Sequence, residues 1–301
     1  GLGRMNRLHR TILCTFFLTV PLAGTAQDLD LNITGGSAEL RSELKDAMSL
    51  VALLDAEDAT PQALIAAAQA DYGRIVAALY GGGRFAPSVS IQIDEREAAD
   101  ISPFEAPARI TTILVEVDPG PRFQFGRAEI APLADGTVIP ETFQSGARAG
   151  TGPIRDAVDA GVAAWRNVGH AKARLEEQQV TADHPNRALD VRLGLAPGPR
   201  LRFGDIVVTG NDRVRRTRIR EIAGLPQGDV FDPQEISEAE RRLRQTGVFS
   251  SVAVAEAETP NADGSLDLAL QVAEQKPRRF GFGAELSTQE GGKISAFWLH
   301  R

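Results

Sequence analysis

The chain states one pattern three times, and this limits what it can fold into. Pro119-Gly120-Pro121-Arg122-Phe123-Gln124-Phe125-Gly126 returns as Pro197-Gly198-Pro199-Arg200-Leu201-Arg202-Phe203-Gly204, an offset of 78 residues. The same offset carries Val168-Gly169-His170 onto Thr246-Gly247-Val248. Upstream, Ile33-Thr34-Gly35-Gly36 echoes Val208-Thr209-Gly210-Asn211, and Gly83-Arg84-Phe85 echoes Gly247-Val248-Phe249. Solenoid repeats run to about 20–50 residues. A longer period predicts small domains that each bury a core, here over 27–118, 119–198 and 199–276. Such a string offers surfaces to other macromolecules more readily than one active site.

The first residues read as an address. Arg4, Arg7 and Arg10 stand without an acid, 11–22 is almost wholly apolar, and Gly24 and Ala26 are small residues at the −3 and −1 positions of a cleavage site. This predicts a secretory signal peptide over 1–26, starting at Met5. An apolar run of roughly a dozen residues is too short to cross ~30 Å of hydrocarbon. Cys14, the single cysteine, lies inside the signal, so the mature chain is expected to carry no disulfide. That suits a Gram-negative cell envelope better than a eukaryotic secreted domain. The chain has 33 basic and 40 acidic residues, and losing the three arginines raises the acidic excess. A nucleic-acid partner would require a clustered basic face, so none is expected.

Each repeat reads as β-α-α-β-β, an α+β unit with two helices on one face of a three-stranded sheet. In the third, a strand over 205–209 ends at Gly210-Asn211, and a short helix over 215–223 stops at Gly224. Asp232 followed by Pro233, with Glu235 three residues on, announces the next helix. Ile236, Ala239 and Leu243 form its apolar stripe, and the Glu238/Arg242 and Glu240/Arg244 pairs its solvated face. A strand then runs from Phe249 through Ala257, and the alternation of Leu266, Leu268, Leu270 and Val272 marks another. The second repeat predicts helices over 139–149 and 154–168, with Ile154, Val158, Val162 and Trp165 inward, and strands near 128–130, 172–180 and 189–195. The first predicts helices over 40–50 and 60–79 and strands over 88–93 and 110–117. Its long polar stretch 94–107 is expected to bulge out as a surface excursion.

After Lys276 the pattern changes. Phe280, Phe282, Ala284 and Leu286 alternate with Gly281, Gly283, Glu285 and Ser287; Gly291-Gly292 suggests a turn, and 294–299 is a second apolar-rich strand. Strands of about 9–11 residues with one apolar face fit a transmembrane β-barrel. Two strands cannot close one, so a longer protein is expected, with 277–301 as the start of its barrel.

A signal peptide followed by tandem β-α-α-β-β units resembles a run of polypeptide-transport-associated (POTRA) domains of the outer-membrane barrel-assembly superfamily. The likeness is densest over Val207-Val208-Thr209-Gly210-Asn211, over 222–232, and over Gly247-Val248-Phe249-Ser250-Ser251-Val252. Three units before a barrel is similar to the TamA family, the outer-membrane subunits of the translocation and assembly module; BamA-type proteins usually carry five and two-partner secretion pores two. The resemblance implies an outer-membrane location with the repeats in the periplasm, and contact with outer-membrane lipid. It also implies unfolded outer-membrane proteins or autotransporters as clients, and a TamB-like inner-membrane-anchored partner. A two-partner secretion transporter and a periplasmic interaction module without insertase activity are the alternatives.

Enzyme signatures are missing from the sequence. It holds no Gly-x-Ser-x-Gly elbow, no phosphate-binding Gly-Lys loop and no Cys/His metal spacing, so no catalysis, cofactor or metal is expected. His170 sits where the third repeat has Val248 and reads as a half-packed strand residue; Asp28 and Asp30 fall at the mature terminus. The expected chemistry is backbone pairing, because a sheet edge carries unpaired donors and acceptors to which an extended peptide can add. Ser251, Val252, Ala253, Val254 and Ala255 are one candidate edge, with Val252 and Val254 fixing register inward and proline at Ala253 expected to weaken capture without unfolding the domain. Phe280, Gly281, Phe282, Gly283 and Ala284 are the other, a barrel-seam strand kept pliable by its glycines.

Overall fold

The structure is a computed structural model that describes residues 28–56, 59–276, 278–287 and 291–300. The predicted signal peptide lies outside the described residues. The chain divides into two compact units, one reaching to Val76 together with Ser88–Asp118, the other made of Ala77–Pro87 and everything from Pro119 onward.

In the first unit, β1 (Asp28–Ile33) is followed by α1 (Ala38–Ala47), α2 (Ser49–Leu54) and α3 (Pro61–Gly81), whose last residues belong to the second unit. Then come β2 (Ser88–Ile93), a two-residue β3 (Arg96–Glu97), two single-turn 3-10 helices and β4 (Thr112–Asp118). The sheet order is β1-β4-β2-β3, with β1 parallel and β2 antiparallel to the central β4. Ser37 caps α1 by accepting from the Leu40 amide. Met48 cannot do the same for α2, so the cap comes from afar. The fully buried Asp71 carboxylate of α3 accepts from the Ser49 and Leu50 amides, both at 2.9 Å, and from the Ser49 hydroxyl at 2.8 Å. Arg74 pairs with it at 3.0 Å, so the buried charge is compensated on every side. Of the stripe that helical periodicity turns inward, Leu64, Ala68, Ile75 and Leu79 are buried and Tyr72 is half-buried.

The second unit contains two further sheets with the same plan. β5 (Gln124–Ala131), α4 (Thr151–Asn167), β6 (Arg174–Asp183) and β7 (Ala188–Ala196) form the order β5-β7-β6. β8 (Arg202–Thr209), α5 (Arg216–Ala223), α6 (Pro233–Gln245), β9 (Phe249–Glu256) and β10 (Ser265–Glu274) form β8-β10-β9. In each, the last strand is central, parallel to the first and antiparallel to the second. Asp232 caps α6 by accepting from the Gln234 amide at 2.8 Å, with Pro233 at the first turn.

The repeated motif has a structural cause. Both leading strands bulge just after its last glycine, where the register slips between Phe125 and Ala128 and between Leu266 and Leu268. A carboxylate from the central strand takes up the loosened amide: Asp190 accepts from Arg127 and Asp267 from Asp205, each at 2.8 Å. A Cβ at Gly126 or Gly204 would stand 2.5 or 2.3 Å from that carboxylate oxygen, so only glycine leaves it room. Phe123, Phe125, Leu201 and Phe203, the motif's large residues, are buried in the two cores.

Two expectations are corrected. The helix expected over 139–149 does not form; that stretch is a chain of turns. Pro140 opens it, Gly146 has φ of +82°, and its amides and carbonyls are spent on β5: Phe125 donates to Ala147 and Ala149 to Phe123. The third module makes the same pairing after its first helix, Phe203 to Asp229 and Phe231 to Leu201, so the second module has kept the pairing segment without the helix. Its lone α4 buries Ile154, Ala157 and Gly161, while Val158, Val162 and Trp165 are half-buried. Nor is the whole of 94–107 an outward excursion: residues 96–101 fold back along β2, as described below, and the tip at Phe104 and Glu105 is exposed.

Candidate strand-addition edges

β9 is an edge strand with β10 on one side. The Ala257 amide donates to the Asp267 carbonyl, so odd-numbered residues face β10 and even-numbered ones face outward. Val252 is buried and Val254 half-buried against the helices, while Ser251, Ala253 and Ala255 are exposed on the opposite face. The expectation for Ala253 therefore needs correction. Its N–H belongs to the ladder with Gln271, and proline there would break an internal pair; Val254 is the neighbour whose N–H points outward. That N–H is not bare, because Glu240 on α6 accepts from it at 3.0 Å and is itself paired with Arg244 at 3.1 Å. At the far end Glu256 is held by Arg166 and by Lys172, the latter at 3.2 Å. The third module thus blunts its edge with side chains.

The second module does less. α4 contacts β5, β6 and β7 alike, whereas α6 packs chiefly on β9, and by the 78-residue offset Val162 replaces Glu240 in the sequence. Between α4 and β6 an open cavity of ≈ 230 Å³ remains, lined by Ile154, Arg155, Val158, Leu175 and Gln178 among others. β6 itself is ten residues long and mostly exposed. Sequence reasoning passed over this edge, although the run Glu176-Glu177-Gln178-Gln179, polar on both faces, is its signal.

In the first module the corresponding strand, β2, is covered. The Asp94 amide donates to the Thr112 carbonyl, which puts Val89, Ile91 and Ile93 on the outward side. Ile93 and Gln92 pair with Arg96 and Glu97 of β3. Glu97 accepts from the Ile91 amide at 3.2 Å, from the Ser90 hydroxyl at 2.8 Å and from the Tyr72 hydroxyl; that hydroxyl also lies 3.1 Å from the Ile91 carbonyl. The chain then buries Ala98 and Ile101, whose carbonyls accept from the Gln69 amide at 3.0 and 2.8 Å. Burial pushes the Glu97 carboxyl up, yet the bonds from Tyr72, Ser90 and Ile91 outweigh it and hold the group below its ordinary value. Burial, and then the Glu97 bond, push the Tyr72 phenol up to about 12. At the crest of the strap Phe104 is 99% exposed.

Residues 201–275 match the sequence model of the POTRA family, described as a surface antigen variable number repeat. The third module is a POTRA domain. Among solved structures, POTRA domains 3–5 of BamA from Haemophilus influenzae align over 83% of this chain and 96% of that one, with TM-score 0.55 and 16% identity. BamA from Haemophilus ducreyi lacking POTRA domains 1–3 aligns over 57% and 34%, with TM-score 0.43 and 16% identity. POTRA domains 1–3 of the periplasmic domain of Omp85 from Anabaena align over 83% and 95%, with TM-score 0.33 and 16% identity. The first of these likenesses shows the fold: α+β modules with mixed sheets that resemble POTRA domains.

Beyond the POTRA match, β11 (Arg278–Ser287) pairs with β12 (Gly291–His300) as an antiparallel hairpin. Its register sets Phe280, Phe282 and Ala284 opposite Trp298, Ala296 and Ile294, and Gly281 and Gly283 opposite Phe297 and Ser295. Gly291 and Gly292, expected as the turn, are the first residues of β12. Among the described residues no group of three His, Cys, Asp or Glu side chains is placed to hold a metal, and no helix is long and apolar enough to cross a membrane. His170 bonds the Gly198 carbonyl at 2.8 Å and meets Trp165 edge-on, both structural contacts.

Proposed function

We propose that this chain is the polypeptide-capturing part of an outer-membrane protein assembly factor of the TamA kind. Its POTRA modules stand in the periplasm and take unfolded barrel or autotransporter clients by strand addition. β11 and β12 open a membrane barrel whose first strand, around Phe280–Ala284, helps template insertion, and module 1 meets a TamB-like partner. The chemistry is non-enzymatic. The observation that carries this reading is the shared sheet plan: in modules 2 and 3 the second strand of each unit, β6 and β9, has among the described residues a neighbour on one side only. Recognition through main-chain bonds tolerates many side-chain sequences, which diverse clients require.

Two neighbouring substitutions test it. Val254→Pro removes an outward N–H and sets a ring on the open side, whereas Ala253→Pro removes a ladder bond. Capture of an unfolded barrel client by the full chain should fall at least tenfold in Val254→Pro, with thermal unfolding shifted by only about 1 kcal/mol. Ala253→Pro should cost about 2–4 kcal/mol, from the lost bond and a stranded carbonyl on β10. Undiminished capture by Val254→Pro would remove β9 from the mechanism.

A further inference from the structure

Module 1 carries a segment the other two modules lack, and it lies where an incoming strand would have to dock. We propose that residues 94–110 are a built-in occupant of the β2 edge, so that module 1 admits an extended polypeptide only after this strap lifts. The proposal rests on the strand-addition reading above and adds a regulation to it. The outward main-chain groups of Ile91 and Ile93 are both engaged, one by Glu97 and Tyr72, the other by Arg96. A docked strand would need these same groups.

The strap is built to hold and to yield. It pairs through two residues only, Gln92 with Glu97 and Ile93 with Arg96. The turn that reverses it is Asp94-Glu95, and both residues sit in the left-handed region at φ of +45° and +66°, strained for side chains that are not glycine. Against that strain work the Asp94 carboxylate, which accepts from the Thr111 and Thr112 amides at 3.0 and 2.9 Å, and the Glu97 latch. The far limb is anchored separately by buried Ala98 and Ile101 and by Gln69, so the latch can open without freeing the whole segment. The partner that fits is an extended chain offering an acceptor to the Ile91 N–H and a donor to its carbonyl.

The test uses the full chain and, as probe, a synthetic peptide of residues 278–300 of the same sequence carrying a photo-crosslinker. A Tyr72→Phe/Glu97→Ala variant opens the latch, Glu95→Gly relieves the turn and tightens the strap, and Phe104→Ala is a control. Amide exchange at Ile91 should be about tenfold faster in the open variant. It should be about threefold slower in Glu95→Gly, and unchanged in Phe104→Ala. Probe adducts on β2 should appear in the open variant and be absent from the tightened one. Unchanged exchange at Ile91, or equal adducts in both variants, overturns the proposal. Adducts on β6 or β9 with none on β2 in the open variant overturn the strap alone. Adducts on no strand in any variant overturn the strand-addition reading and the strap with it.

Discussion

Modules 1 and 3 solve the same backbone problem by different means. In module 3 one carboxylate from a packed helix, Glu240, covers one outward amide of β9. In module 1 a whole segment returns to β2, and Glu97 with Tyr72 completes what its two-residue ladder leaves over. Exposed strand edges are a liability unless covered, so the degree of covering grades them. A single side chain can swing away within a folded module, whereas a strap has to be displaced. The difference teaches that three copies of one fold need not expose equivalent strand edges.

The largest expected effect lies in the frame that carries the module 1 latch. Asp71→Ala leaves the Ser49 and Leu50 amides and Arg74 without their acceptor, and should destabilise module 1 by about 3 kcal/mol, read by chemical denaturation. Since Tyr72 is the next residue on α3, a closed edge in this variant would separate the frame from the latch. Next, Glu240→Ala should cost about 1 kcal/mol and speed exchange at the Val254 amide while leaving Ile91 unchanged. Equal changes at both amides would mean the two edges are coupled.

Acid should act on both modules in the same sense. Glu274 accepts from the Asp212, Arg213 and Val214 amides, each at 2.9 Å, and pairs with Arg213 at 3.2 Å. Burial pushes its carboxyl up, but the Val214, Asp212 and Arg213 amides and the Arg213 charge hold it below its ordinary value, as the latch bonds do for Glu97. Their stabilisation is therefore present above the unfolded carboxyl value and is lost as pH falls through the lower folded one. Exchange at residues 212–214 and at Ile91, corrected for its intrinsic pH dependence, should rise below about pH 4. Glu274→Gln should abolish the change in module 3 only. The smallest effect is spectroscopic. In a Tyr80→Phe background the remaining phenolate should appear near pH about 12, and Glu97→Ala should bring it lower. A raised phenol contributes stability that is complete below its unfolded value and lost as pH rises through about 12.

Much of the fold was legible because its determinants are local. The Asp232-Pro233 cap and the alternation through Leu266, Leu268, Leu270 and Val272 each act within a few residues, and the elements stand where they predict. Residues 139–149 misled because apolar spacing there serves pairing with Phe123 and Phe125, which no window of neighbouring residues contains. The strap was hidden for the same reason, since Tyr72 and Glu97 are 25 residues apart. Its traces were the acidic turn after the Val89, Ile91, Ile93 alternation and the apolar pair Ala98 and Ile101. Of the candidate site, the inward valines of β9 were readable, whereas which amides point outward depends on the Ala257–Asp267 bond that sets the ladder phase.

The joint between modules 2 and 3 carries one more consequence. Leu201 donates to the Gly169 carbonyl at 2.8 Å, Arg200 to the Val168 carbonyl at 3.0 Å, Ala171 enters the next module's core, and Glu256 bridges back to Arg166 and Lys172. On the proposed strand-addition reading, β6 and β9 would then be two receptors on a common body, and a client held at one would meet the other as a tethered reactant. Avidity then depends on loop length: a hairpin whose linker matches the span gains from local concentration, and shorter or much longer linkers forfeit it.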